Sequence, residues 1–294
     1  MADLSIAVLI KKAAAVFSKA GIESPELEAR LLLQSVLGLD HAGLILAWQH
    51  RPDSAMQEHF AALVRRRLDR EPLAYITGER EFWSLPFAVS RDVLIPRPET
   101  EWLLELAISR VRQVRQEVQG TGIRHALDLG CGSGVIAVVL ALELGCRVTA
   151  VDCSSGALQQ AAVNAGRHGV ADRITMVCGD FFAALPTGVR YDLLVSNPPY
   201  IAAAEIEELE PEVRHYEPYP ALDGGSDGLD AIASISRQAG DFLLPGSWVF
   251  LEIGANQAKA AQHLFTSAPH QYDEVQVLPD LAGRPRVLQA RFVA

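Results

Sequence analysis

Apolar positions along the 294-residue chain fall into three successive patterns. From about Ser5 to Arg70 they recur at three- and four-residue spacing, in Ile6, Leu9, Ile10 and Ala14 and again in Leu27, Leu31 and Leu32, the period of amphipathic helices. Ser24-Pro25-Glu26-Leu27-Glu28 reads as a helix start, with a capping serine, a first-turn proline and acids at the positive dipole end. Another helix, from near Ser54 to Arg70, ends in Arg65-Arg66-Arg67, which is either a solvated helix face, the commoner case, or a contact for something acidic. A small helical bundle over residues 1–72 is expected. From Tyr75 to Ile95 the pattern shortens to apolar pairs (Phe82, Trp83, Phe87, Val89, Val93, Ile95) interrupted by Gly78 and Pro86, which predicts a β-hairpin linker over residues 73–96.

The third pattern occupies residues 97–294. Pro98, Glu99 and Glu101 start a helix reaching about Val118, and Gln119-Gly120-Thr121-Gly122 follows as a polar break. Strands then alternate with helices. The predicted order is strand 126–129, helix 135–144, strand 148–151, helix 155–168, strand 174–177, a fourth strand from Tyr191, strand 248–253 and helix 256–265. Val275 to Leu278 and Val287 to Phe292 close as an antiparallel pair. Such alternation predicts an α/β fold with a doubly wound parallel sheet.

The fourth strand ends abruptly. In YDLLVSNPPY, Tyr191 to Tyr200, the apolar run stops at Asn197-Pro198-Pro199, where two residues lacking an N–H cannot extend a ladder. Ligands of open α/β sheets bind at the carboxyl ends of strands. The Asn197 carboxamide oxygen and the Pro198 carbonyl are acceptors on a backbone stiffened by Pro198 and Pro199, and Tyr200 can lay an aromatic face beside them. A planar –NH2 group with two hydrogens to give would suit these acceptors. Taken alone, the four letters are equally a Pro-Pro turn with Asn as a turn residue.

Composition narrows the class. Hydrophobic residues make up 49% of the chain, enough for a large core, and the net charge of -10 argues against a protein that lives on nucleic acid. Cys131, Cys146, Cys153 and Cys178 have no CxxC pairing or metal spacing and read as reduced thiols of a cytoplasmic protein, and no metal is expected. The longest apolar block, Val135 to Leu142, is far short of a membrane span.

The first strand runs into Gly130-Cys131-Gly132-Ser133-Gly134. Glycines there let a ligand approach the backbone and aim N–H groups at an anionic end. Val135 stands where a dinucleotide fingerprint has its third glycine, which weakens a pyrophosphate reading; the same turn suits the carboxylate of S-adenosyl-L-methionine. Asp152, about 20 residues on at the second strand's end, is placed for ribose hydroxyls. Asp180 is placed for the adenine amino group, Phe181 for the ring, and Asp128 for the ammonium group. Any one of these acids could equally be a helix cap; their succession at consecutive strand tips favours a cofactor.

Longer motifs go further. EFWSLPFAVSRDVLIPRPETE (Glu81 to Glu101), DLGCGSG (Asp128 to Gly134), Asp152, GDFF (Gly179 to Phe182), SNPPYI (Ser196 to Ile201) and EPYPALDGGSDGL (Glu217 to Leu229) resemble the HemK/PrmC family across nearly the full length. These are the N5-glutamine methyltransferases of peptide chain release factors. NPPY alone is shared with DNA adenine methyltransferases; LIPRPETE with ALDGG and DGL is far more specific.

The resemblance implies a class I (Rossmann-like) methyltransferase domain over residues 97–294 and an amino-terminal helical domain that helps hold the substrate. The implied reaction carries a methyl group to the glutamine of the GGQ motif in class I release factors, leaving S-adenosyl-L-homocysteine. Asn197, Pro198 and Tyr200 are the expected catalytic residues, with Pro199 joining them in substrate binding. Asp128, Gly130, Cys131, Gly132, Ser133, Gly134, Asp152, Asp180, Phe181 and Asn197 are the expected donor site. A monomer with no membrane and no nucleic-acid substrate is expected. The acidic run Glu205 to Glu212 is expected to be a solvated lip of the site, or else a surface meeting basic residues of the release factor.

Overall fold

The structure is a computed structural model describing residues 4–118 and 123–293; the predicted break at Gln119 to Gly122 lies outside the described residues. The chain divides into two compact units, Met1–Glu79 with Pro211–Tyr216, and Arg80–Glu210 with Glu217–Ala294.

The first unit contains α1 (Ile6–Lys19), α2 (Pro25–Leu37), α3 (His41–Leu46), α4 (Ser54–Leu68) and α5 (Leu73–Thr77). The helical period brings Ile6, Ile10, Phe17, Leu32, Leu33 and Phe60 into one core. Asp53 caps α4 by accepting from Met56 N at 2.8 Å, a bond worth about 1 kcal/mol. Ser24 departs from expectation: it sits at φ 48° with no side-chain cap bond, and α2 starts on its proline and acids. Arg65-Arg66-Arg67 is not simply a solvated face. Arg67 is buried, pairing with Glu28 and with Glu212 at 3.0 Å, while Arg66 grips Glu71 through two 2.8 Å bonds. Arg67 holds its proton more firmly than usual because its carboxylate partners outweigh its burial.

The second unit opens with a hairpin of two short strands, β1 (Glu79–Phe82) and β2 (Leu85–Ala88). It is shorter than predicted: Tyr75 lies in α5, and Val89 to Ile95 forms no strand. Its turn residues Trp83 and Ser84 both have φ near 56°, a conformation usually given to Asn-Gly, and Glu101 accepts from Trp83 N at 2.7 Å. After α6 (Pro98–Val118) come β3 (His125–Leu129), α7 (Val135–Leu144), β4 (Arg147–Asp152), α8 (Ser155–Arg167), β5 (Ile174–Cys178) and β6 (Tyr191–Ser196). The short α9 (Pro211–Arg214) belongs to the first unit. Then follow α10 (Asp230–Gln238), β7 (Leu243–Glu252), α11 (Ala258–Thr266), β8 (Tyr272–Pro279) and β9 (Pro285–Phe292).

Seven strands form one sheet in the order β5-β4-β3-β6-β7-β9-β8, parallel through β7, with β9 antiparallel to both its neighbours. Alternate residues feed two apolar layers. Leu193, Val195 and Phe250 face α6 and α7, whereas Leu194, Val249 and Leu251 face α10 and α11. Both faces are covered, so these strands read as unbroken apolar runs. Helix α10 was not anticipated, although Ile232 and Ile235 are fully buried at helical spacing. The chain runs outward from β3 through β4 to β5, then crosses back to β6 on the other side of β3, which makes the carboxyl ends of β3 and β6 the switch point of the sheet.

Candidate active site

Register places the two motifs side by side. Leu129 at the end of β3 pairs with Ser196 at the end of β6, and Ser196 Oγ donates to Leu129 O at 2.6 Å. Gly130 therefore follows one strand where Asn197 follows its neighbour. Both line a cavity of about 450 Å³, a size suited to a small molecule.

The glycine turn is built from backbone. Gly130, Gly132 and Gly134 have φ of 70°, 51° and 81°, a region L side chains rarely adopt. The turn's N–H groups are mostly committed within the protein, contrary to a simple anion cradle. Gly130 and Cys131 donate to Val151 O at 2.8 and 3.0 Å, Gly134 to Cys131 O at 2.8 Å, and Gly132 to Asp152 Oδ2 at 2.9 Å. Gly130, Cys131, Gly132 and Ser133 line the cavity. Gly134 instead serves packing: a Cβ there would come 2.9 Å from Ala161 Cβ on α8.

Asp152 is not the cap of α8; Ser154 is, accepting from Ala157 N, while Asp152 Oδ1 accepts from Ser154 N at 2.9 Å. The Asp152 carboxylate thus pins the glycine turn and still lines the cavity. Asp180 and Phe181 line it as well, with Phe181 at φ 45°.

Asp128 is fully buried on β3 and, although Gly134 is the cap residue of α7, its Oδ2 accepts from Ala137 N in that helix's first turn at 3.1 Å. Its Oδ1 is buried without a partner among the described residues. Burial pushes this carboxyl well above the usual range, with the Asp152 charge adding to it. A cationic or hydrogen-bearing group reaching that oxygen, directly or through water, would relieve the penalty. A cavity of about 450 Å³ lined by the glycine turn and Asp152 fits a nucleoside with a charged tail, while Asp128, with its orphaned oxygen, is fully buried and not on the cavity wall.

The tip of β6 is built from side chains. Asn197 Nδ2 donates to Thr100 Oγ1 at 3.0 Å, and Thr100 Oγ1 donates to Glu252 Oε2 at 2.7 Å. Tyr200 donates its hydroxyl to Glu252 Oε1 at 3.0 Å, and burial raises the phenol far above its ordinary value. Gln257 Nε2 donates to the carbonyls of Tyr200 and Gly228 at 2.8 and 3.0 Å. A Cβ on Gly228 would lie 2.3 Å from Tyr200 O, so only glycine allows this approach. Of the expected substrate residues, Asn197 and Pro199 line the cavity; Pro198 and Tyr200 are not on its wall.

Thr100, Glu252, Gln257 and the cavity residues Asp92 and Arg97 were absent from the expected site. Thr100 lies in the LIPRPETE segment, where the sequence suggested only helix-start chemistry. Glu252 had one signal, an acid inside a buried strand. Arg97 donates to Glu217 Oε1 at 2.6 Å, and Glu217 also accepts from Ile95 N, which fixes the loop on that side of the cavity. The acidic run divides: Glu205, Glu207, Glu208 and Glu210 are exposed, but Glu212 is paired with Arg67 and Arg70 in the first unit.

A parallel sheet with a glycine turn at its switch point, an acid on the adjoining strand and an NPPY tip beside them define a class I methyltransferase. The solved hMettl16 catalytic domain in complex with MAT2A 3'UTR hairpin 6 shares this fold, with a TM-score of 0.54 and 16% identity, covering 75% of this chain and 80% of that one. Residues 9–78 match the PrmC N-terminal domain and residues 113–210 the methyltransferase small domain. The chain is 44% identical over 279 residues to the release factor glutamine methyltransferase of Cereibacter sphaeroides, covering 94% of each. It is 41% identical over 279 residues to that of Bradyrhizobium diazoefficiens, covering 95% of this chain and 92% of the relative. The chain belongs to the release factor glutamine methyltransferase family.

Proposed function

We propose that the protein transfers a methyl group from S-adenosyl-L-methionine to the side-chain amide nitrogen of the glutamine in the GGQ motif of class I peptide chain release factors, in the cytoplasm. The observation that carries this reading is the Leu129–Ser196 register, which puts the glycine turn and Asn197 on one cavity. Family membership supports the substrate.

Asp152 would take the ribose hydroxyls, Asp180 the adenine amino group, Phe181 the ring face and Asp128 the ammonium group. When bound, S-adenosyl-L-methionine supplies an electrophilic methyl group on a sulfonium sulfur. Asn197 Oδ1, on the cavity wall, accepts one hydrogen of the glutamine –NH2; the Pro198 carbonyl, although Pro198 is off that wall, would accept the other, while Pro199 holds the tip stiff and Tyr200 braces it. An amide nitrogen is a poor nucleophile because its lone pair is delocalised, so the tip works by turning that lone pair toward the methyl group. Methyl transfer would leave S-adenosyl-L-homocysteine and one surplus proton on the amide nitrogen, to be lost to solvent water; the chain's own part is to hold the amide through Asn197. Alignment of this kind supplies up to about 7–11 kcal/mol. The net charge of -10 disfavours a flipped nucleic-acid base as the acceptor.

Labelled S-adenosyl-L-methionine with purified release factor tests the proposal. Label is expected on the intact factor and absent when its GGQ glutamine is replaced. Label on added RNA or DNA, or equal labelling of both factors, would contradict it.

A further inference from the structure

We propose that Glu252, acting through Thr100, is a positioning residue that fixes which way the Asn197 carboxamide faces. The inference rests on the reading of Asn197 given above and supplies its cause. A carboxylate offers only lone pairs, so both hydroxyls in contact with Glu252 must donate to it: Thr100 at 2.7 Å and Tyr200 at 3.0 Å. Thr100 has one hydrogen, and Glu252 holds it. The Thr100 oxygen therefore has only lone pairs left for the amide 3.0 Å away, and Asn197 must turn its –NH2 toward it. That leaves Oδ1 for the cavity, as an acceptor. A flipped amide would set two acceptors against each other inside a wall where Thr100 is 2% and Glu252 0% exposed.

The chain joins residues 100, 197, 200 and 252, brought together from α6, the tip of β6 and the end of β7. Three other groups face Glu252. Arg286 on β9 favours its charged form and donates NH1 to Ile253 O at 3.2 Å, Glu99 on α6 opposes that form, and Tyr200 is neutral. Burial outweighs the favourable partners and holds the Glu252 carboxyl above its ordinary range. Above its folded pKa the group is ionised and the donor order is fixed. Below it, a protonated Glu252 can donate to the Thr100 oxygen, which frees the Thr100 hydrogen for Asn197 Oδ1 and releases the order. Turnover at saturating substrates should therefore fall on the acid side.

The test compares Glu252→Gln, Thr100→Val and Thr100→Ser with the parent and with Asn197→Ala. Each is assayed with release factor and saturating S-adenosyl-L-methionine across pH, with donor Kd measured by calorimetry. Glu252→Gln and Thr100→Val are expected to lower kcat by about tenfold or more and to lose the acid limb, with donor Kd within about threefold of the parent. Thr100→Ser, which keeps the hydroxyl, is expected to recover kcat to within about threefold. Parent-like kcat in Glu252→Gln and Thr100→Val, with Asn197→Ala inactive, would overturn the relay and leave the site reading standing. Equal losses in Thr100→Val and Thr100→Ser would also overturn it, since shape rather than the hydroxyl would then matter. Parent-like kcat in Asn197→Ala would overturn the site reading itself. Should Glu252→Gln not fold, the two Thr100 variants decide.

Discussion

The two ends of the cavity are made in different ways. At the end proposed for the donor, three glycines with positive φ and a set of backbone bonds shape a turn within a few residues of β3, and Asp152 pins it from the next strand. At the acceptor end, Asn197 is held by Thr100, Thr100 by Glu252, and the Tyr200 carbonyl by Gln257. A site built from local backbone tolerates no change of residue type but depends little on distant chain. One built from side chains depends on groups up to 152 residues apart, as Thr100 and Glu252 are.

Substitutions at each end should separate these modes. The largest effect is expected from Gly228→Ala, whose methyl would meet Tyr200 O at 2.3 Å and Gln257 Nε2 at 2.6 Å, at φ 76°. It should cost at least about 2 kcal/mol of stability by urea unfolding and depress transfer with it. A stability matching the parent would show that the tip is not packed as described.

Next comes Asp152→Asn at the donor end. Loss of the charged acceptor is expected to weaken donor binding by about 1.5–3 kcal/mol, seen as a raised donor Kd in calorimetry and a raised donor KM more than a lowered kcat. A lowered kcat with unchanged donor Kd would break the division between the two ends.

Asp128→Asn should produce the smallest change, and in the opposite direction for stability. The raised carboxyl pKa of Asp128 means that its neutral form stabilises the fold; this stability is fully present below the ordinary carboxylate pKa and is lost as pH rises through the folded value. The amide cannot ionise, so the ligand-free variant is expected to be spared that loss and to gain on the parent by about 1 kcal/mol as pH rises. It should also weaken donor binding, because the orphaned Oδ1 is replaced or neutralised. Destabilisation at pH 7 would contradict this account.

The same contrast explains what could be read in advance. The boundaries of α7 and β6 and the succession of strands and helices along the chain follow from local pattern, because apolar runs ended by glycine or proline say where elements stop. The extent and turn of the hairpin did not follow: Trp83 and Ser84 occupy a turn their residue types disfavour, held there in part by Glu101 eighteen positions from Trp83. That Asp152, Gly130 and Gly132 lie on one cavity was legible because each sits at or directly after the end of a strand. Thr100, Glu252 and Gln257 were not, since each acts through a partner that only the folded sheet brings near. Arg67 was obscured likewise, because one of three consecutive arginines is buried and the run gives no sign of which.

The claim that the β6 tip orients an amide for transfer is tested most directly by Asn197→Ala under single-turnover conditions at saturating donor, with donor Kd measured on the same preparation. Loss of the Oδ1 acceptor should cost about 1–3 kcal/mol of transition-state stabilisation, or more if alignment fails, with donor Kd held within about threefold. Transfer at the parent rate, or a fall explained wholly by lost donor binding, would contradict it.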